Sequence, residues 1–223
     1  QPETPVTPDD SNETTPGGSV ETPDAGQEDL QPQKGGHLTY SWYELSPTFD
    51  PYGQASWTTY MWSNNNFESC LARGEDGKIY PLVCEYELSE DQLELKLWVR
   101  EGVKFHDGTD VEIDDVIASV QRGVHSSPRK YVRDYIESVT KNDDGSATFK
   151  FKEYNEKTMY YIAFVNPMIG VMPKEICEKY ATSYIVGELE DAVGTGPYII
   201  TDFQDSVQVT LTKRDDYTPV DNS

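Results

Sequence analysis

The chain has 223 residues, with 18 Lys plus Arg against 40 Asp plus Glu, for a formal net charge of −22 and a mean hydropathy of −0.67. That surplus of acid has the wrong sign for replacing counterions on nucleic-acid phosphate or for docking on an anionic bilayer through a basic patch. No stretch approaches the ~18 apolar residues of a membrane-crossing helix, and the length corresponds to roughly one to two domains.

Residues 1–36 hold six of the 14 prolines, no aromatic residue, and eight acids against the single base Lys34. Such a segment cannot bury enough apolar surface to offset its ordering entropy. It is predicted to be a disordered acidic tether spanning on the order of 30–36 Å as a flexible coil. Two readings remain open for it, a spacer holding a domain off a surface and an ordinary disordered terminus. The chain begins at Gln1 with no apolar leader, which is compatible with a signal peptide removed earlier.

From Gly35 the composition changes abruptly, with nine aromatic residues between Tyr40 and Phe67. His37 to Tyr43 reads as a strand, closed by the Ser46-Pro47 and Asp50-Pro51 breakers. Asn64 to Leu71 reads as a helix end or loop. Leu93, Leu95, Leu97 and Val99 alternate with Glu94, Lys96, Trp98 and Arg100, the period of a strand; the Ser89-Glu90-Asp91 turn predicts a hairpin with Val83–Leu88. Ile113, Val116, Ile117, Val120 and Val124 follow helical spacing, and Asp114 and Asp115 suit the positive end of a helix dipole. Tyr131 to Val139 suits helix or strand. Asn142 to Gly145 is a turn before a strand whose inner face is Ala147, Phe149 and Phe151. A last hairpin pairs Pro197–Phe203 with Val207–Thr212. The whole predicts a mixed α/β (α+β) domain.

No P-loop, G-x-S-x-G or H-E-x-x-H occurs, so no catalytic, metal or cofactor residue is assigned. His106-Asp107-Gly108-Thr109-Asp110 admits a metal loop or a His/Asp pair. A strand-to-helix turn, with Gly108 at positive φ and Asp107 bonding the backbone, accounts for the same residues and is the reading adopted. Cys70, Cys84 and Cys177 make an odd count, leaving at least one unpaired thiol. Either a 70–84 disulfide or buried free thiols fits, and nothing else in the sequence suggests a disulfide-stapled fold.

The run Arg100-Glu-Gly-Val-Lys-Phe-His-Asp-Gly-Thr-Asp-Val-Glu-Ile-Asp-Asp-Val116 resembles the signature of the solute-binding proteins of peptide-type ABC importers, family 5, the oligopeptide, dipeptide and nickel-binding group. Gly35-Gly36-His37-Leu38, Phe49-Asp50-Pro51, Phe67 to Leu71, Gly77 to Val83, Gly194-Thr195-Gly196-Pro197-Tyr198 and Lys213 to Tyr217 resemble further landmarks, in the family's order. The resemblance covers about 35–218. Glu112 stands where the family usually has a helix-capping Thr, so Asp110 or Asp114 is expected to substitute. An Asp replaces the Asn before the final Tyr, and Thr218 replaces the Trp after it.

The resemblance implies a periplasmic-binding-protein-like class II fold, in which 37–52 and 167–223 form an incomplete first lobe and 53–166 the group's extra domain. It implies an extracytoplasmic, non-enzymatic protein, either a cell-surface lipoprotein anchored ahead of Gln1 on the outer face of the cytoplasmic membrane or periplasmic. Such a protein is expected to be monomeric and to deliver short peptides to the subunits of a membrane permease. By family position Trp42, Tyr43, Glu44 and Ser46 face the cleft, with Glu44 offering a carboxylate, and Tyr131 and Tyr135 supply cleft tyrosines. Core packing accounts equally for Trp42 and Tyr43, and the i, i+4 spacing of Tyr131 and Tyr135 suits plain helix packing. A peptide-sensing surface receptor, or a binder of nickel, haem or oligosaccharide, uses the same fold. Scattered histidines and acids are the sole support for an extracellular hydrolase.

Overall fold

The computed structural model describes residues 35–42, 48–52, 57–125, 130–155, 170–183 and 185–217. Residues 1–34 of the predicted tether, Tyr43, Glu44 and Ser46 lie outside the described residues. The chain divides into two units, 1–40 and 41–223. In the first, Gly35 and Gly36 have positive φ and the backbone from His37 runs on without ladder pairing. The strand expected at His37–Tyr43 is therefore not formed among the described residues. Alternation of side chains defines a strand only when a neighbouring backbone accepts and donates its hydrogen bonds.

In the second unit, helix α1 (Trp57–Asn66) leads into a short hairpin of β1 (Leu71–Arg73) and β2 (Ile79–Pro81). Strands β3 (Cys84–Leu88), β4 (Glu94–Val99), β5 (Ile136–Lys141) and β6 (Ala147–Phe151) build an antiparallel sheet in the order β3-β4-β6-β5. The expected β3–β4 hairpin is present. Ser89 Oγ accepts the amides of Leu93 and Glu94 at 3.2 and 2.9 Å, and Gln92 takes the left-handed position. The period-2 pattern reads directly as burial: Leu95, Leu97, Ala147 and Phe149 are wholly buried, while Glu94, Trp98 and Lys150 face outward.

Helix α2 (Ile113–His125) contributes Val116, Val120 and Val124 to the same core. Residues 131–139, open between helix and strand in the sequence, are both: α3 (Lys130–Tyr135) runs straight into β5. Helix α4 (Lys174–Lys179) and a 3-10 turn (Leu189–Asp191) precede the final hairpin of β7 (Tyr198–Gln204) and β8 (Gln208–Lys213).

The cap of α2 differs from expectation. Asp115 reaches back and accepts the Glu112 amide at 2.8 Å, and its other oxygen accepts the Lys174 amide at 2.8 Å. One carboxylate thus serves the first turns of α2 and α4. Asp110 instead pairs with Lys104, and Asp114 with Lys141. Both are more exposed than Asp115, which lies at the helix–helix contact, where an orphan amide costs most.

A buried ion pair ties the Phe49-Asp50-Pro51 segment to α2. Arg122 grips Asp50 with both terminal nitrogens, one at 3.0 Å, and also donates to the Tyr180 carbonyl. The side chains are 3 % and 0 % exposed. The Tyr52 amide donates to Asp50 at 2.8 Å, and the guanidinium lies 5.1 Å from the Tyr52 ring centroid. Removing one partner of such a pair leaves an uncompensated buried charge. Arg122→Leu is expected to lose about 3–5 kcal/mol of stability in urea denaturation, and Asp50→Leu added to it is expected to recover part of that loss. An additive double variant would contradict the coupling.

Candidate functional site

The two motifs that carry the family resemblance, 104–110 and 194–198, meet at the end of α1. The last turn of a helix leaves carbonyls without intrahelical partners. The Gly196 amide donates to the Asn66 carbonyl at 2.9 Å. This approach demands glycine. A Cβ at Gly194 would lie 2.2 Å from the Asn66 oxygen, and one at Gly196 would lie 2.5 Å from the Asn65 oxygen.

His106 clamps the same loop from the other side. Its amide donates to the Gly194 carbonyl at 2.9 Å. Its Nδ1 accepts the Gly194 amide at 3.2 Å, and Nε2–H donates to the Gly196 carbonyl at 3.0 Å. These partners fix the neutral tautomer, because a protonated Nδ1 would point a proton at an N–H group. Burial, chiefly, lowers its pKa to about 4, and the Arg214 charge acts in the same direction. The rest of the motif is the expected turn: Asp107 accepts the Thr109 amide and hydroxyl at 3.0 and 2.7 Å, and Gly108 has φ 86°.

Arg214 closes the knot from the end of β8. It donates to the carbonyls of Lys104 and Thr195, each at 3.2 Å, and makes a bidentate pair with Asp216, both bonds at 2.9 Å. Beside it, Tyr217 donates to Glu68 at 2.5 Å. Burial, the largest effect, raises the Glu68 pKa despite that bond and the Arg214 charge. The sequence carries no local signal for the pairing of Glu68 with Tyr217, which are 149 positions apart.

Of the expected cleft residues, Trp42, Tyr131 and Tyr135 fall among the described residues. Trp42 is 47 % exposed. Tyr131 lies in α3, and Tyr135 ends that helix half-buried. A shallow hollow of about 390 Å³ is lined by Ala72, Arg73, Gly74, Glu75, Asp76 and Tyr80. All six belong to the β1–β2 hairpin, and none is an expected cleft residue. The three cysteines are free and buried. Among the described residues no cluster of His, Cys, Asp and Glu could hold a metal ion, and no helix is long and apolar enough to cross a membrane.

The architecture is that of periplasmic binding proteins. The structure of the binding protein AgaA from A. tumefaciens R10 in complex with agropinic acid matches with TM-score 0.67 and 26 % identity, over 78 % of this chain and 35 % of that one. DppA from Helicobacter pylori, in complex with a peptide, matches with TM-score 0.65 and 19 % identity, over 79 % and 39 %.

Residues 78–222 match the middle region of the bacterial extracellular solute-binding proteins, family 5, and the chain belongs to that family. A glutathione-binding protein of Salmonella typhimurium is 26 % identical over 155 residues, 68 % of this chain and 29 % of the relative. Di/tripeptide-binding protein 2 of Pseudomonas aeruginosa is 26 % identical over 193 residues, 76 % of this chain and 36 % of the relative. The chain thus spans about a third of the length of these relatives.

Two predictions follow from the knot. Gly194→Ala is expected to cost about 3 kcal/mol or more, because its Cβ meets backbone rather than a yielding side chain. Gly187→Ala, with nothing within 4 Å of the added carbon, is expected to stay within about 0.5 kcal/mol; equal losses in thermal melts would refute the steric account. For His106 the folded pKa lies below the ordinary 6.5, so the unfolded chain takes up the proton first. Stability is therefore expected to fall by roughly 2 kcal/mol, discounted for partial exposure, as the pH drops from about 6.5 to about 4. His106→Gln, which retains a donor for Gly196, is expected to flatten that part of the pH profile.

Proposed function

We propose that this chain is part of the extracytoplasmic solute-binding component of an ABC importer, which binds short peptides and delivers them to a membrane permease. The observation that carries the reading is the family match over residues 78–222, together with relatives named for glutathione and for di- and tripeptides. The geometry suits it, since the motif side chains His106, Asp107 and Arg214 are occupied in holding backbone. In the proposed assignment, 37–52 and 167–223 belong to the first lobe and 53–166 to the extra domain. Trp42, Tyr43, Glu44, Ser46, Tyr131 and Tyr135 line one wall of the cleft. The acidic segment 1–36 acts as a spacer from a lipid anchor on the outer face of the cytoplasmic membrane, and the protein works as a monomer.

Main-chain groups of an extended peptide supply affinity in such sites, while wet pockets tolerate varied side chains. Native mass spectrometry of the protein purified from the cells that make it reads the ligand directly. A retained peptide is the expected result; a metal chelate, haem or oligosaccharide would replace the peptide reading.

A single cleft wall leaves half of a ligand's polar groups in water. If a complete site binds at ~1 µM, about 8 kcal/mol, half of that free energy corresponds to ~1 mM. Calorimetry of residues 1–223 with di- to pentapeptides is therefore expected to show no micromolar binding. Micromolar binding lost in Glu44→Ala or Tyr131→Ala would show instead that these residues complete the site.

A further inference from the structure

Two of the three cysteines are neighbours. Cys70 precedes β1 and Cys84 opens β3, and both are 0 % exposed. The Cys84 amide donates to the Cys70 carbonyl at 2.9 Å. With standard backbone lengths, such a bond holds the two Cα atoms at most roughly 7 Å apart, against the ~4.4–6.8 Å span of a disulfide. The two thiols also act on each other's ionisation, with Cys70 the largest influence on the Cys84 thiol. Cys177 stands apart from them, with its sulfur 3.7 Å from Ser119 Oγ on α2.

We propose that Cys70 and Cys84 are a disulfide-forming pair, joined when the chain folds in the presence of an external disulfide. The thiolate of one cysteine attacks that disulfide and expels a thiolate. The second cysteine, losing its proton, then displaces the other half of the mixed disulfide. One S–S bond forms in the protein, the external disulfide is reduced to two thiols, and Cys177 takes no part.

Both sulfurs are shut from solvent, and Cys70, ahead of burial, pushes the Cys84 thiol well above its ordinary range. The folded dithiol is therefore unreactive, and exchange belongs to the stage before the core closes. The bond would staple the end of the α1 segment to the first strand of the main sheet across a loop of 15 residues. The pairing chemistry is independent of the ligand. Its occurrence in cells rests on the extracytoplasmic reading, because disulfides persist in oxidising compartments.

The test is refolding of the 223-residue chain from denaturant, in oxidised glutathione and separately in reductant. Tryptic mapping of the oxidised sample is expected to show the Cys70 peptide linked to the Cys84 peptide, with Cys177 free. The oxidised form is expected to melt roughly 5–10 °C higher than the reduced one. Cys177→Ser should keep both results, and Cys84→Ser should lose both. A link through Cys177, no 70–84 link, or a linked form that melts lower would overturn the proposal. If the link forms on refolding but protein isolated from cells carries free thiols, the extracytoplasmic reading fails and the pairing stands.

Discussion

The carbonyls that end α1 point at a loop with no side chains to keep it away. Because Gly194 and Gly196 let the backbone come within hydrogen-bonding reach of Asn66, the 104–110 turn can reach the same loop through His106. Arg214 can then reach both from the far end of β8. A methyl group at either glycine would push the loop off the helix and separate all of these contacts together. The knot binds α1, the turn before α2 and the last hairpin with bonds that run mostly from side chain to backbone. That construction tolerates sequence change elsewhere but not at the glycines.

A second set of buried polar contacts runs along α2. Asp50 and Arg122 neutralise each other in a place water does not reach. The arginine also satisfies a carbonyl just past α4, and Asp115 caps α2 and α4 at once. Ser119 accepts the Met172 amide at 2.9 Å and donates to the Met172 carbonyl at 3.1 Å. Apolar burial alone would let two packed helices slide. These paired donors and acceptors select one register, because any other leaves groups unsatisfied.

What could be read from the residues alone was whatever repeats locally. The alternation through Leu95 and Leu97, the helical spacing of Val116, Val120 and Val124, and the turns at Asp107–Thr109 and Asn142–Gly145 all appear in the structure as expected. What escaped depends on position in space. Nothing local distinguishes Asp115 from Asp114 as the cap; only the approach of Lys174 does. No pattern joins Asp50 to Arg122, or Glu68 to Tyr217. The expected strand at His37–Tyr43 shows the converse, a local pattern whose realisation depends on a partner. The family resemblance was legible because its motifs are the knot itself, residues constrained by close approach. Cleft residues are chosen by a ligand, and the sequence around Trp42 or Tyr135 carries no comparable steric mark.

The chain segments that flank the four-stranded sheet meet each other. Ser69 and Gly170 form an antiparallel bridge, and the Val171 amide donates to the Glu68 carbonyl at 2.8 Å. About a hundred residues thus begin and end as hydrogen-bonded neighbours. Closing so long an excursion costs only slightly more than closing a shorter one, because the penalty grows with the logarithm of length. The bridge alone would let the excursion be exchanged as a unit, but His106, Asp115, Ser119 and Arg122 lie inside it and grip backbone or side chains outside it. Insertions are therefore tolerated at its outer turns, such as Asn142–Gly145, and a wholesale graft between Ser69 and Gly170 would strip the flanking segments of their buried partners.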